Sequence, residues 1–145
     1  MPRDERHTES IPFGTLGLIP LESSRELGEK VNKYLVEWRA KREETPQVLA
    51  TNGYKRDTYI VDAETPRFGS GEAKGVINQS IRGHDLYILA DVCNYSLTYK
   101  LCGHINHMSP DDHYSDIKRI IAAAAGKARR ISVIMPFLYE SRQHK

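Results

Sequence analysis

The sequence predicts an α/β domain with a mainly parallel sheet flanked by helices. Three observations carry that prediction. An early apolar strand runs into an amphipathic helical segment, Asp85 to Asp91 has a continuous apolar centre, and a second helical segment is bracketed by two apolar strands. A strand buried on both faces reads as an unbroken apolar run. Strand, helix and strand in succession form the unit of a parallel sheet with a right-handed crossover. The 145 residues suit one domain with a single core.

Residues 1–13 are charged and proline-punctuated and predict a loose arm, so the expected division is a polar arm at 1–14 and a domain over 15–145. Leu16, Leu18 and Ile19 predict a short strand before Pro20. Ser23 or Ser24 is placed to cap a helix, with Glu26 in its first turn. Leu27, Val31, Tyr34, Leu35 and Trp38 recur at helical spacing and are expected to form its buried face, while Glu29, Lys30, Lys33, Glu37 and Arg39 lie outside. Thr45-Pro46 marks its stop. Residues 48–66 are ambiguous, although Asn52-Gly53 signals a turn and Thr58 to Val61 has strand composition. Phe68 to Glu72 reads as a flexible loop. Val76 to Ser80 reads as a strand closed by Arg82-Gly83, and Asp85 to Asp91 as the clearest strand.

Ser109-Pro110-Asp111-Asp112 is a strong helix start, combining a capping serine, a proline at the first helical position and acids at the positive end of the dipole. Tyr114, Ile117, Ile120, Ile121 and Ala124 form the expected buried face, Ala122 to Ala125 can pack closely, and Gly126 ends the pattern. Ile131 to Phe137 is the last strand. The carboxyl ends of an open parallel sheet are where ligands bind. Here those ends lie near Asp91 to Asn94 and Pro136 to Gln143. No helix is expected to cover the last strand, which suggests that the chain is part of a longer protein.

Composition excludes several classes. Lysine and arginine total 21 against 19 acids, a net charge of +2 that offers no general attraction for nucleic acid. No apolar run approaches the ~18 residues of a membrane span, and the polar start is not a secretory signal. Two cysteines, Cys93 and Cys102, make no disulfide scaffold and suit a reduced cytoplasmic protein.

Four constellations could carry chemistry. Arg142-Gln143-His144-Lys145 follows a strand and offers a planar fork to phosphate and an amide to a base edge, or is simply a solvated chain end. Arg67 to Glu72 has glycines for close approach, Phe68 for stacking and Glu72 as an acceptor, or is an ordinary hairpin loop. It lacks the GK[ST] ending of a phosphate loop. Cys93, Cys102, His104, His107 and His113 could hold zinc, but their spacing matches no strong zinc signature, and loop thiols and histidines are the alternative. Asp111-Asp112 could hold magnesium, but helix capping accounts for them without a metal. No G-x-S-x-G elbow supports a hydrolase.

Four of these motifs, in order, resemble the ribose-phosphate pyrophosphokinases (phosphoribosyl pyrophosphate synthetases). They are the Leu16 to Val36 strand and helix, Phe68-x-x-Gly71-Glu72 with Ser80-Ile81-Arg82-Gly83-x-Asp85, the Arg130 to Phe137 strand, and Arg142-Gln143. The family's counterparts to the last three are F-x-D-G-E with V-R-G-x-D-V, R-I-T-x-V-I-P-Y, and R-Q-D-R-K. The resemblance covers 15–38 and 66–145 and implies a phosphoribosyltransferase-like fold, the N-terminal half of a two-domain enzyme. It also implies the transfer of a diphosphoryl group from Mg-ATP to ribose 5-phosphate by a homo-oligomer. In the family the F-x-D-G-E loop touches ATP bound to a neighbouring subunit, and the R-Q pair touches ATP in its own. ATP-binding roles are thereby implied for Phe68, Glu72, Arg142 and Gln143, with Mg2+ accompanying ATP and no metal ligand assigned in this chain.

The departures from the family are specific. Ser70 replaces an acid, Tyr139-Glu140-Ser141 replaces Gly-Tyr-Ala, His144-Lys145 replaces Asp-Arg, and Asn94 to Met108 is longer than the family norm. The family's D-T-G/A-G-T ribose-phosphate loop is not in these residues, so the chain alone is expected to be inactive. Two other readings compete: a non-catalytic homologue that regulates synthetase subunits, motivated by Ser70, and a zinc-stabilised binding module.

Overall fold

The structure is a computed structural model that describes residues 12–42 and 44–142. Most of the expected arm therefore lies outside the described residues. The elements are β1 (Thr15–Pro20), a single 3-10 turn (Glu22–Ser24), α1 (Arg25–Lys41), α2 (Pro46–Leu49), β2 (Ala63–Glu64), β3 (Val76–Ile77), β4 (His84–Leu89), β5 (Thr98–Leu101), β6 (His104–His107), α3 (Pro110–Ala124) and β7 (Arg130–Ile134). β1, β4 and β7 form a parallel sheet with β4 in the centre. The α/β expectation and the strand–helix–strand unit β4–α3–β7 both hold.

The sheet separates two apolar layers. On one side Leu86 and Ile88 of β4 meet Ile117, Ile120 and Ala124 of α3. On the other, Leu18, Tyr59 and Leu89 meet Val31, Leu35 and Val36 of α1. The expected burial of the central strand is realised at Leu86 and Ile88, which are wholly inaccessible, and at Leu89, nearly so, while Tyr87 between them is half-buried. The segment expected as a strand at Thr58 to Val61 makes one parallel bridge to β1, with the Leu18 N–H donating to the Tyr59 carbonyl and the Val61 N–H donating to the Leu18 carbonyl. Val76 to Ser80 shortens to a two-residue strand paired antiparallel with β2.

The helix starts differ from each other. At α3 the expected cap is present as a full capping box: Ser109 Oγ accepts from the Asp112 N–H, and Asp112 accepts from the Ser109 N–H. At α1 neither serine caps. Ser24 makes no side-chain cap bond because the preceding 3-10 turn already supplies the backbone partners, and the Ser23 hydroxyl instead accepts from the Asp91 N–H. Pro46, expected as a stop, also begins α2 from its first helical position.

Two helix faces are corrected. α1 does not bury Leu27, Tyr34 or Trp38, which are 42%, 64% and 41% exposed. Its inner side consists of Gly28, Val31, Asn32, Leu35, Val36 and Arg39. Asn32 is turned inward because its Oδ1 accepts the Tyr59 N–H at 2.7 Å, and Arg39 because it donates to the Tyr54 carbonyl and lies over the Tyr54 and Tyr59 rings. Gly28 sits so close to Pro20 that a Cβ there would collide with the proline ring, which sets how α1 is rolled on β1. On α3, Ile121 is exposed while Ile117 and Ile120 are buried, and of the alanine run only Ala124 is fully covered. The polar residues His113 and Asp116 share that buried face.

Residues 94–108, read as a long loop, contain the β5–β6 hairpin, turned by Cys102 and Gly103 with φ of 49° and 85°. Two positive φ values are the backbone of the primed turn that matches strand twist.

The face assignment is testable. Ile120→Ala should cost about 2–5 kcal/mol in urea unfolding, because its side chain is wholly buried. Ile121→Ala should stay near surface values, within about 0.5 kcal/mol. Equal losses would refute the orientation of α3.

Candidate functional site

The sheet ends place a cleft where a ligand edge is expected. Ser23 and Ser24 follow β1, Asp91 and Asn94 follow β4, and Pro136 follows β7, and all five line a cavity of about 530 Å3. Its floor is fixed by hydrogen bonds. The Asn94 side-chain amide donates to the Ser23 carbonyl at 3.1 Å, and Asp91 Oδ1 accepts from the Cys93 N–H at 2.9 Å. Arg25 and Glu22 on its rim form an exposed ion pair at 2.7 Å. The mixture of carboxylates, hydroxyls and cations suits a polar, hydrated ligand.

Phe68 and Glu72 sit together at the tip of a ribbon between β2 and β3. The Phe68 N–H donates to the Glu72 carbonyl at 2.8 Å, and the Gly71 N–H donates to the Phe68 carbonyl at 2.9 Å. Both side chains are exposed, and Phe68 is 49% accessible. Ser70 Oγ donates to Glu72 Oε2 at 3.2 Å, so the serine that replaces the family acid leans on the neighbouring carboxylate. Gly71, at φ 89°, also leaves room for Leu101 of the hairpin, and the Cys102 N–H donates to the Gly69 carbonyl at 2.8 Å. The hairpin therefore props the ribbon tip.

Arg142 is exposed in a turn beyond β7, and Gln143 lies outside the described residues. Phe68 and Glu72 share one loop, whereas the hydrogen bonds and ion pairs of the described residues join neither of them to Arg142. What connects the two segments is the first turn of α3. Arg67, at the base of the ribbon, pairs with Asp116 at 3.1 Å and lies 3.7 Å from Asp112. It also donates to the Gly71 carbonyl and stacks on the Tyr99 ring at 4.6 Å. On the other segment the Tyr139 hydroxyl donates to Asp111 Oδ1 at 2.6 Å, and its ring packs edge-on against Tyr114. The hydrogen bond to Asp111, with help from desolvation and the acid's charge, pushes the Tyr139 phenol up to about 12.

Sequence reasoning missed Arg67, Asp116 and Tyr139 as the groups that hold the candidate loops. Asp116 falls on the buried helical face at the spacing of Ile117 and Ile120, and an acid at a core position was the available signal. Asp112 closes the capping box, as the sequence expects of a helix start, and Asp111 accepts from the Tyr139 hydroxyl. The zinc reading of the cysteines and histidines is not supported: among the described residues no three His, Cys, Asp or Glu side chains converge as a metal group. His113 Nε2 instead donates to the Asn94 carbonyl at 2.7 Å and His107 Nδ1 to the Tyr95 carbonyl at 2.8 Å, while both thiols are exposed. A carbonyl can only accept, so the bonded ring nitrogen of each histidine carries the proton.

The family model described as the N-terminal domain of ribose phosphate pyrophosphokinase matches residues 16–145. No curated protein matches the chain.

Two measurements check the clamp. Asp116→Ala leaves the buried Arg67 guanidinium without its closest acid and should lower stability by about 3–5 kcal/mol in chemical unfolding. In an alkaline titration followed by phenolate absorbance, the signal lost in Tyr139→Phe should have a midpoint near 12, and Asp111→Asn should move that midpoint toward 10. A phenol raised in the folded state contributes its stability fully below pH ~10 and loses it as pH rises through about 12. A midpoint near 10 in the parent chain would mean that the Tyr139–Asp111 bond does not form in solution.

Proposed function

The chain belongs to the family of the N-terminal domain of ribose phosphate pyrophosphokinase, and on that premise we propose that it serves a cytoplasmic ribose-phosphate diphosphokinase as its ATP-binding N-terminal part. The reaction breaks the bond between the α- and β-phosphoryl groups of ATP. It joins the β,γ-diphosphoryl group to the anomeric hydroxyl oxygen of ribose 5-phosphate, giving phosphoribosyl pyrophosphate for nucleotide biosynthesis and releasing AMP. Phosphoryl transfer of this kind relies on positioning and charge neutralisation.

The observation that carries the reading is the family match over 16–145, and Arg142 follows β7, which ends at Ile134 in a parallel sheet whose carboxyl ends are the usual ligand edge. In this proposal the Arg142 guanidinium takes the ATP phosphates through its planar fork. Gln143 supplies an amide to the base or ribose. Phe68 and Glu72, exposed on their own ribbon, act as a stacking face and a hydroxyl or amine acceptor for nucleotide held by a neighbouring copy. That arrangement agrees with the absence of any bond between Phe68 or Glu72 and Arg142 among the described residues. Mg2+ enters this proposal as the companion of the ATP phosphates, with no ligand assigned to it in this chain. The acceptor sugar finds no D-T-G/A-G-T loop in these residues, so the chain alone should release no AMP from Mg-ATP and ribose 5-phosphate.

A second reading has a specific observation in its favour. The Ser70–Glu72 hydrogen bond occupies the ribbon carboxylate that would otherwise face nucleotide, which suits a regulatory homologue that docks on synthetase subunits without catalysis. ATP binding of ordinary strength separates the two readings.

Titration calorimetry of the chain with Mg-ATP tests the assignment. Arg142→Lys keeps the charge but loses the fork. A charge-assisted hydrogen bond contributes ~1.5–3 kcal/mol, so affinity should fall about ten- to a hundred-fold. Lys127→Arg, at an exposed turn after α3, should leave it unchanged. Equal binding by both variants, or no binding by the parent, removes Arg142 from an ATP site.

A further inference from the structure

The carboxyl edge of the sheet divides between β1 and β4. From β1 the chain passes through α1, which packs on the face of Leu18 and Leu89, to the segment at 59–61 on the outer edge of β1. From β4 it passes through α3, which packs on the opposite face with Leu86 and Ile88, to β7. The two connections leave in opposite directions and on opposite faces, and an open parallel sheet forms a ligand crevice at such a point. The cavity of about 530 Å3 lies there, between Ser23 and Ser24 after β1 and Asp91 and Asn94 after β4. Its size is that of a small-molecule site. Phe68, Glu72 and Arg142 do not line it.

We propose that this crevice binds the vicinal hydroxyls of a sugar ring. The hydrogen-bonding groups left over in its lining select that chemistry. Ser24 is 4% exposed, and its hydroxyl oxygen has no hydrogen-bond partner. A buried hydroxyl in that state is uncommon and calls for a function. Ser23 Oγ accepts from the Asp91 N–H at 3.1 Å, which leaves its own proton to donate. One side-chain amide hydrogen of Asn94 goes to the Ser23 carbonyl at 3.1 Å, and the second remains. Asp91 Oδ1 accepts from the Cys93 N–H, while the hydrogen bonds and ion pairs of the described residues leave Asp91 Oδ2 unused. The crevice thus offers donors and acceptors side by side. An anion only accepts, and it would meet Asp91 and Glu29 while Arg25 and Lys30 are already paired with Glu22 and Glu26 at 2.7 and 2.6 Å. An ammonium group only donates, and it would leave the serine and asparagine hydrogens without acceptors. Adjacent hydroxyls do both at once. An acid accepting from a sugar hydroxyl at the carboxyl edge is also the device by which nucleotide-binding α/β folds hold ribose. The assignment does not rest on the ATP reading of Arg142.

Amide NMR of the full chain tests it, with methyl ribofuranoside as the probe. Saturable shifts are expected at the backbone amides of Ser24, Asp91 and Asn94, in the low-millimolar range of a small neutral ligand. The 2-deoxy analogue lacks one hydroxyl of the pair and should bind about tenfold more weakly. Ser24→Ala removes a hydroxyl that has no partner in the protein, so urea unfolding should show no loss of stability while the ribofuranoside affinity falls about tenfold. Inorganic pyrophosphate, an acceptor without donors, should leave the three amides unmoved. The site is overturned if the ribofuranoside produces no saturable shift there, if the 2-deoxy analogue binds equally well, or if pyrophosphate moves these amides in its place. Undiminished sugar binding by Ser24→Ala would overturn the selection of the ligand by the unpartnered hydroxyl. The Mg-ATP titration judges Arg142 separately, so either assignment can fail without the other.

Discussion

β4 is hydrogen-bonded in parallel to β1 on one side and to β7 on the other, and it has no free edge. Parallel neighbours cannot be joined by a tight turn, so the chain has to leave the sheet after β4 and cross back before β7. α3 is that crossover. Its length and its buried Ile117, Ile120 and Ala124 cover the face that Leu86 and Ile88 would otherwise expose. The same connection brings the start of α3 back beside the carboxyl ends of the strands. The cross-strand pair of Asp85 with Arg130, a two-pronged bond at 2.7 and 2.5 Å, ties the opposite ends of β4 and β7 and locks their register.

Once α3 begins beside the ligand edge, its first turn becomes the anchoring point for what surrounds that edge. Asp112 closes the capping box, Asp111 takes the Tyr139 hydroxyl, and Asp116, one turn on, takes Arg67 and Arg119. Three acids thus hold the ribbon and the segment after β7 to one rigid element. Arg67 does most of this on the ribbon side. Its side chain is 9% exposed and is enclosed by the acids, the Tyr99 ring and the Gly71 carbonyl. Charges buried to this degree persist only with such partners. The inserted β5–β6 hairpin contributes the aromatic side of that enclosure. The lengthened segment at 94–108 is thereby part of how the Phe68–Glu72 tip is held.

α1 shows how periodicity identifies a helix without identifying its inside. The spacing of Leu27, Val31, Tyr34, Leu35 and Trp38 correctly marks a helix, observed over Arg25–Lys41. It is right about Val31 and Leu35, which pack on the sheet side, and wrong about Leu27, Tyr34 and Trp38, because apolar character is only one reason for a residue to face a sheet. Asn32 and Arg39 face it because the Tyr54 to Val61 segment offers a backbone N–H, a carbonyl and two aromatic rings there. None of those partners is adjacent in sequence. Ile121 errs for a related reason: at position 120 the helical period already places one isoleucine at the centre of the contact, and its neighbour turns outward.

The sequence by itself determined the class of the fold, the parallel β4–α3–β7 unit, the cap of α3 and the family. Each follows from local or regularly spaced signals: an unbroken apolar strand, a Ser-Pro-Asp-Asp start, and four motifs in order. It also put Phe68 and Glu72 on a loop and Arg142 beyond the last strand, and the structure has them there. Only the tertiary structure decided which face of α1 is inside, that 94–108 is a hairpin against the ribbon, and that Arg67 and Tyr139 converge on α3. Those outcomes depend on pairings between residues tens of positions apart, such as Arg67 with Asp116 and Tyr139 with Asp111. Such pairings are set by where the sheet brings the backbone, and no window along the chain contains both partners.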